Sequence, residues 1–512
     1  MRKTVKKLTA VGLTVTSVLG LVACGSSKGT TSQGTSENKE VTKPDTFTVM
    51  CDGTVVTETN GAEAFYKQLN EATGLDIKWT RPDHASYYDA VANAFNSDDT
   101  MPDVVLLSSD YYALYASNGF LWNMTDAWEH SETKNSGRLI STADNVLSAL
   151  MVNGEDGTKA MYGLSLYRGN GCCTYVKKAW LDKAGIDASK VKDVQMDFNT
   201  YYGYLKQMAQ TMGHYVISSP GFIHPEAPNT NYLPEFYQKA QYTFYKDTSG
   251  KYVDGFAQQE MKEALQRIQT AVNDGVIDKE SVNNSTANAR DKFYSTDPST
   301  ETGVFTYWAG TWANTLKTNL SNKGLDDELI AIKPIKELGA YTERIAPCWC
   351  ITSAAKNPEG IFKYFIDKML DGGDVQMLWT HGAKGTHWDD KAETVTVEKK
   401  EDQPKTYTEG QFHYLPGIEK PDQWQTKNHI DPILSIANFT NGYVGESLIP
   451  EVARENGEFF AENSQVAVPL PMTSELSNNI GDINTARTYV IAQVALGYMT
   501  VDEGMDYYNK TD

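Results

Sequence analysis

The uninterrupted apolar run Val104-Val105-Leu106-Leu107, preceded by Pro102-Asp103, constrains the fold of this chain more than any other feature. A strand without polar alternation is buried on both faces, and such strands belong to parallel sheets covered by helices. Its carboxyl end delivers Ser108, Ser109, Asp110 and Tyr111 into whatever crevice opens there. Upstream, Phe47 to Cys51 is a short β-prone run, and Ala62 to Thr73 sets Phe65, Leu69 and Ala72 on one helical face before stopping at Gly74. Leu75, Ile77 and Trp79 then alternate, completing a strand, helix, strand unit. An α/β architecture follows.

Helices are well marked further along. Met261, Leu265, Ile268 and Val272 form a stripe that ends at Asn273-Asp274-Gly275. Asn357-Pro358-Glu359 supplies an N-cap, a proline at the first helical position and an acid in the first turn. Ile361, Phe362, Phe365, Ile366, Met369 and Leu370 follow on one face. Ala486 to Leu496 is a helix stopped by Gly497, and Thr500-Val501-Asp502-Glu503 is a capping box that opens another. Asp389 to Lys420 is polar, with few aliphatic residues, and reads as a long surface excursion.

The amino terminus sets the compartment. Arg2, Lys3, Lys6 and Lys7 precede the uncharged stretch Leu8 to Val22, which is short and Thr-rich for a membrane span and reads as a signal peptide. Leu21-Val22-Ala23-Cys24-Gly25 resembles the bacterial lipobox, in which the Cys receives the lipid, so the mature chain is expected to begin at a lipidated Cys24. The plainer alternative is an ordinary secreted protein with a Cys by chance at its cleavage site. Gly25 to Asp45 holds one Val and no other bulky apolar residue, so it reads as a tether. A coil of on the order of twenty residues has an r.m.s. reach of roughly 25 Å.

Charge and cysteine content narrow the partners. The net charge is −20, and it becomes more negative once the basic signal residues leave. Nucleic acid and anionic headgroups need the opposite sign. The 29 Tyr and 10 Trp exceed what a core requires and suit half-wet binding surfaces. With Cys24 lipidated, Cys51, Cys172, Cys173, Cys348 and Cys350 remain, an odd number that implies no disulfide framework. Cys348-Trp349-Cys350 on a strand would point its thiols to opposite faces, a poor metal site, and burial as small hydrophobes is the plain reading against redox or metal chemistry.

Several segments together resemble one family, the extracellular solute-binding proteins of ABC importers in their carbohydrate-binding, maltose-binding-protein-like branch. Pro102-Asp103-Val104-Val105 resembles that family's PD-strand, and Asn118-Gly119-Phe120-Leu121 with Thr125-Asp126 resembles the turn after it. Met161 to Leu166, Tyr175 to Lys178 and Leu181 to Ile186 are similar to its "YGLP" and "yYNkdlfekaGi" segments, with Ser165 in place of Pro and Val176 in place of Asn. Glu260 to Val276, Gly303 to Trp312 ("G.a.m...G.W"), Lys356 to Glu359 ("kNPE"), Gly382 to Trp388 ("GieG.hY") and Gly497 to Tyr508 follow in the family's order. Together they run across nearly the whole mature chain.

This resemblance implies a two-lobed fold, each lobe a sheet flanked by helices, joined by a hinge with a ligand cleft between. It divides the chain into a signal peptide at 1–23, the lipidated Cys and tether at 24–45, a first lobe at 46–166 plus about 345–390, and a second at 167–344 plus about 391–512. It also implies a monomer on the extracellular face of the bacterial membrane, lipid-anchored, without cofactor or metal, that captures a carbohydrate, an oligosaccharide by expectation, for an ABC permease.

Sugar capture calls for aromatic faces against C–H patches and polar side chains on hydroxyls. By the resemblance, Trp312 of Gly310-Thr311-Trp312 stacks on a sugar, with Trp308 four residues earlier. Asp110 is expected to accept sugar hydroxyls, a helix N-cap being its alternative, and Tyr111 is its neighbour. Tyr167 and Arg168 follow the first crossover and are expected to face the cleft, although Arg168 fits an inter-lobe salt bridge equally. Asp83 has the same logic as Asp110. Trp349 lies near the second crossover and is expected to serve the cleft, although its flanking cysteines argue for burial, and Trp388 is expected at the cleft mouth. For any Trp the plain alternative is core packing.

Enzyme signatures are missing: the one Gly-x-Ser-x-Gly match, Gly25 to Gly29, lies in the segment read as tether and is no nucleophile elbow, and there is no His-Glu-x-x-His, Walker loop or Gly-x-Gly-x-x-Gly after the first strand. Asp247-Thr248-Ser249-Gly250 fails as a calcium loop at Lys251 and Val253. A glycoside hydrolase needs only two carboxylates and stands as the enzyme alternative, and a peptide or other polar solute as the alternative ligand.

Overall fold

The structure is a computed structural model and describes residues 40–53, 61–223, 230–247, 249–325, 328–395, 405–415, 430–440, 449–467 and 474–510. Its first sheet has the order Cys348–Ile351, Val104–Leu107, Thr46–Met50, Asp76–Thr80. The last three run parallel, and Cys348–Ile351 joins antiparallel to Val104–Leu107. Every residue of Val104–Leu107 is buried, as its unalternating sequence requires. The helix Ala62–Thr73 packs Phe65 and Leu69 into this core and ends at Gly74, whose φ of 62° lets its N–H close on the Asn70 carbonyl.

A second sheet has the order Leu329–Ala331, Cys172–Lys177, Val304–Trp308, with both neighbours antiparallel to the middle strand. The helices Phe198–Met212, Gln259–Asn273, Ser474–Ala495 and Val501–Tyr508 contribute buried side chains to its core. The capping box at Thr500 forms with Glu503, and Asn357 caps its helix by accepting from the Gly360 N–H at 3.0 Å. The apolar stripe after Asn357 is not one α-helix. A π-turn at Phe362–Ile366 and a 3-10 turn at Asp367–Leu370 follow Pro358–Ile361. The buried Asp367 carboxylate there accepts from the Glu132 and Thr133 N–H groups, which a regular amphipathic helix has no reason to do.

Apolar burial separates into two lobes. One core runs from Phe47 to Tyr167, resumes at Ile345 to Ala383 and takes in Ile430, Ile436 and Ala437. The other lobe has two clusters, drawn from Cys172 to Tyr341 with Phe460 and with Val490 to Tyr508. The chain therefore changes lobes between Tyr167 and Cys172, between Tyr341 and Ile345, and again between Ala437 and Phe460. Where the sequence put everything after about 391 in the second lobe, Ile430, Ile436 and Ala437 pack in the first. The polar excursion is also anchored, because Phe412 and His413 are buried.

The folded body reaches back into the segment read as tether. Asn357 donates to the Thr42 carbonyl at 2.9 Å, Tyr364 donates to the Val41 carbonyl at 3.3 Å, and Pro44 is buried. Cys24 and the signal lie outside the described residues. Cys51, Cys172, Cys173, Cys348 and Cys350 are all buried and unbridged, and burial pushes the Cys51, Cys173 and Cys348 thiols up to about 12. Among the described residues no group of three His, Cys, Asp or Glu side chains could hold a metal, and no helix is long and apolar enough to cross a membrane.

Candidate ligand-binding site

The two nearest crossings form a tight strap. Arg168 and Glu343 make a two-point ion pair, Nε to Oε1 at 3.0 Å and Nη2 to Oε2 at 2.8 Å, with each side chain only 4% exposed. Ser464 donates to the same carboxylate at 3.2 Å, and Tyr341–Glu343 pairs in parallel with Ser464–Val466. The Arg344 N–H donates to the Asn170 carbonyl at 3.0 Å, and its Nε to the Gly169 carbonyl at 2.7 Å. A Cβ at Gly169 would sit 1.8 Å from the Arg344 carbonyl oxygen, and one at Gly171 2.2 Å from that of Thr342. Only glycine lets these strands approach so closely.

Strand register brings both sheets to this strap. Leu107 pairs with Cys348, four residues beyond Arg344, and Trp308 pairs with Cys172, four residues beyond Arg168. The carboxyl ends of Val104–Leu107 and Val304–Trp308 therefore both open at the hinge, one from each lobe, and crevices at carboxyl strand ends are where α/β sheets take ligands.

Each end carries aromatic rings. On the first lobe, Tyr111 of the helix Ser109–Ser117 stacks on Tyr88 with centroids 3.9 Å apart and planes 6° from parallel. Tyr88 is held in place because its hydroxyl accepts from the Ser108 N–H at 2.8 Å. On the second lobe, Trp308 ends its strand and Trp312 begins the helix Thr311–Asn322, both half-buried. Trp312 meets Tyr307 edge to face at 5.0 Å. The Arg290 guanidinium lies 5.3 Å from the Trp312 centroid and donates to the Tyr307 hydroxyl at 2.9 Å, while that of Arg344 lies 4.7 Å from the Trp308 centroid.

The turn between the two tryptophans has its own support. Gly310 adopts φ 67° and ψ −121°, and its N–H donates to Asn456 Oδ1 at 2.7 Å. Asn456 also accepts from the Tyr175 hydroxyl at 3.0 Å, and Asn170 of the hinge donates to the Ala309 carbonyl at 3.1 Å. The helix Glu451–Asn463 and the hinge thus fix where both rings stand.

No protein-family model matches the chain, and no curated protein matches it by sequence. Solved structures do match. An N-glycan transport solute-binding protein from Streptococcus pneumoniae is 17% identical over 91% of this chain and 94% of its own, with a TM-score of 0.57. An extracellular solute-binding protein family 1 structure from Alicyclobacillus acidocaldarius is 14% identical over 92% and 98%, with a TM-score of 0.58. A solute-binding protein from Bifidobacterium longum infantis, described as binding HMO, is 13% identical over 91% and 95%, with a TM-score of 0.56. This chain has the extracellular solute-binding-protein fold.

Within that fold the residues singled out from the sequence go to different places. Tyr111, Trp308 and Trp312 stand at the two strand ends. Asp83 is exposed at the start of the 3-10 turn His84–Ser86, after the strand Asp76–Thr80. Asp110 is in the first turn of Ser109–Ser117, and its side chain lies outside what is described. Arg168 takes the structural of its two roles, as half of the buried hinge pair. Tyr167 is 7% exposed, and burial holds its hydroxyl well above the usual phenol range.

Trp349 is 1% exposed, edge-on to Phe365 and Trp379 in the first core, so it packs and does not face a cleft. Its strand is buried on both faces, which leaves no exposed side for it to occupy. Trp388 stacks on Phe412 at 5.0 Å and donates to the Gly382 carbonyl at 2.9 Å, pinning the polar excursion. Arg290, Arg344 and Asn456 were not singled out. No local pattern marks them, since each acts on residues far away in the chain.

Proposed function

We propose that this chain is the carbohydrate-capturing component of an ABC importer, closing two lobes on an oligosaccharide and presenting it to the permease. The observation that carries this reading is the pairing of rings at the two carboxyl strand ends, Tyr88 and Tyr111 on one lobe and Trp308 and Trp312 on the other. Aromatic faces suit the C–H patches of a pyranose, and hydroxyl and amide groups around them suit its oxygens. The protein acts as a monomer on the extracellular face of the membrane, anchored through lipid on Cys24, without a metal or cofactor and without catalysis. The similarity of fold to sugar-binding transport proteins and the lipobox-like Leu21-Val22-Ala23-Cys24 support this.

A thermal-shift screen against mono- and oligosaccharides, with peptides as a second arm, tests the reading. A ligand at a hundred times its Kd stabilises by about 2.7 kcal/mol. A glycan hit that is recovered uncleaved agrees with capture. A cleaved glycan points to a hydrolase, and shifts by peptides alone reject the carbohydrate.

A further inference from the structure

Five arginines have carboxylate or backbone carbonyl partners among the described residues. Arg168, Arg454 and Arg487 pair with Glu343, Glu458 and Asp254. Arg138 and Arg267 spread their donors over backbone carbonyls of Leu370 and Asn438, and of Phe236 and Tyr237. Two depart from this pattern. Among the described residues Arg290 makes one hydrogen bond, to the Tyr307 hydroxyl, and Arg344 makes one from its side chain, to the Gly169 carbonyl. Among the described residues neither has a carboxylate partner, although the chain carries 66 Asp and Glu against 46 Lys and Arg.

Both stand on the candidate site, Arg290 over Trp312 and Arg344 over Trp308. A guanidinium carries five N–H donors, so among the described residues four remain on each, including both terminal nitrogens of Arg344. Attraction to the indole face holds the guanidinium near the ring without consuming an N–H donor, since it acts through the ring quadrupole. Arg290 is set by its place in the last turn of Thr286–Phe293, and Arg344 by the hinge backbone. The edge of an oriented fork matches a carboxylate in two parallel bonds.

Resting on the carbohydrate reading above, we infer that the ligand is an acidic oligosaccharide whose sugar units carry carboxylates, held by Arg290 and Arg344 beside the two tryptophans. The neutral C–H face of such a unit stacks on indole while its carboxylate meets the guanidinium edge. Two cations on tryptophans four residues apart suit at least two acidic positions, or one acid reached from both sides. The surrounding negative charge then repels acidic glycans that fail to reach these two groups, which adds selectivity.

The test uses the mature protein and matched pairs: an oligogalacturonate series with its methyl esters, and sialyllactose with lactose, titrated calorimetrically. The acid of at least one pair should bind about ten- to a hundredfold tighter than its neutral partner, the range for a hydrogen bond to a charged group. That ratio should fall toward one in Arg290→Gln and in Arg344→Gln, and it should shrink with added salt. Should Arg344→Gln unfold because it loses the hinge contact, Arg290→Gln alone carries the test. Neutral glycans binding as well as or better than acidic ones would overturn the inference and leave the carbohydrate reading intact. Binding to neither arm would overturn both. An acid preference unchanged in both variants would overturn the assignment to these arginines.

Discussion

Replacing Glu235 with Gln should abolish a pH dependence of stability that originates in the second lobe. Glu235 is 1% exposed, and its carboxyl lies 2.7 Å from the Thr174 hydroxyl and 3.3 Å from the Tyr341 hydroxyl, with no cation in contact among the described residues. Cys173, Tyr201 and Tyr341 are the titratable groups around it, and burial raises all three, so none carries charge near neutrality. Burial pushes Glu235 itself from the ordinary 4.5 up to about 7, only partly offset by hydrogen bonds from Thr174, its own backbone and Tyr341. The folded protein therefore keeps a proton that the unfolded chain releases.

The raised value fixes the sign. The contribution of the neutral carboxyl is fully present below about pH 4.5, declines as pH rises, and is lost above about 7. At about 1.4 kcal/mol for each tenfold change in proton affinity, the full span is on the order of 3 kcal/mol. The Gln side chain keeps the shape and cannot ionise. Urea unfolding of both proteins at about pH 5, 6, 7 and 8 gives the stability difference at each pH, in which unrelated groups cancel. Glu235→Gln should gain on the wild type by on the order of 3 kcal/mol from pH 5 to pH 8. A difference that stays constant would refute the reasoning and show that Glu235 ionises normally.

Other outcomes follow from single contacts. Trp312→Ala should weaken glycan binding by about 1–3 kcal/mol while the circular dichroism and melting point hold, and unchanged affinity in a calorimetric titration would make the ring structural. Arg168→Met should cost about 3–5 kcal/mol in urea unfolding because it strands Glu343 at 4% exposure, and a loss below about 1 kcal/mol would mean water reaches the pair. Mass spectrometry of the amino-terminal peptide from the native host should find a diacylglyceryl Cys24, and an unmodified terminus elsewhere would remove the anchor.

What the sequence revealed and what it hid divide along a physical line. The boundaries of Ala62–Thr73 and Val104–Leu107 were legible because local chemistry sets them: a glycine that takes φ 62° ends the helix, and a run buried on both faces is the strand. The caps at Asn357 and Thr500 are local for the same reason. Trp349 misled because a strand buried on both faces carries no alternation to say which way a Trp points. The Arg168–Glu343 pair spans 175 residues, and the Asn456 bond to Gly310 spans 146. No window of sequence contains either. The packing of Ile430 to Ala437 in the first lobe was hidden by the polar excursion before it.

The most direct test of the account is small-angle scattering of the mature protein with and without a saturating glycan from the screen. Rings on both lobes that open at one hinge should clasp the same ligand, and a ligand touching both lobes favours the closed arrangement by its differential affinity. The radius of gyration should fall on binding, and the fall should be lost in a variant lacking both Tyr111 and Trp312. A saturated complex with an unchanged radius would contradict capture between the two lobes.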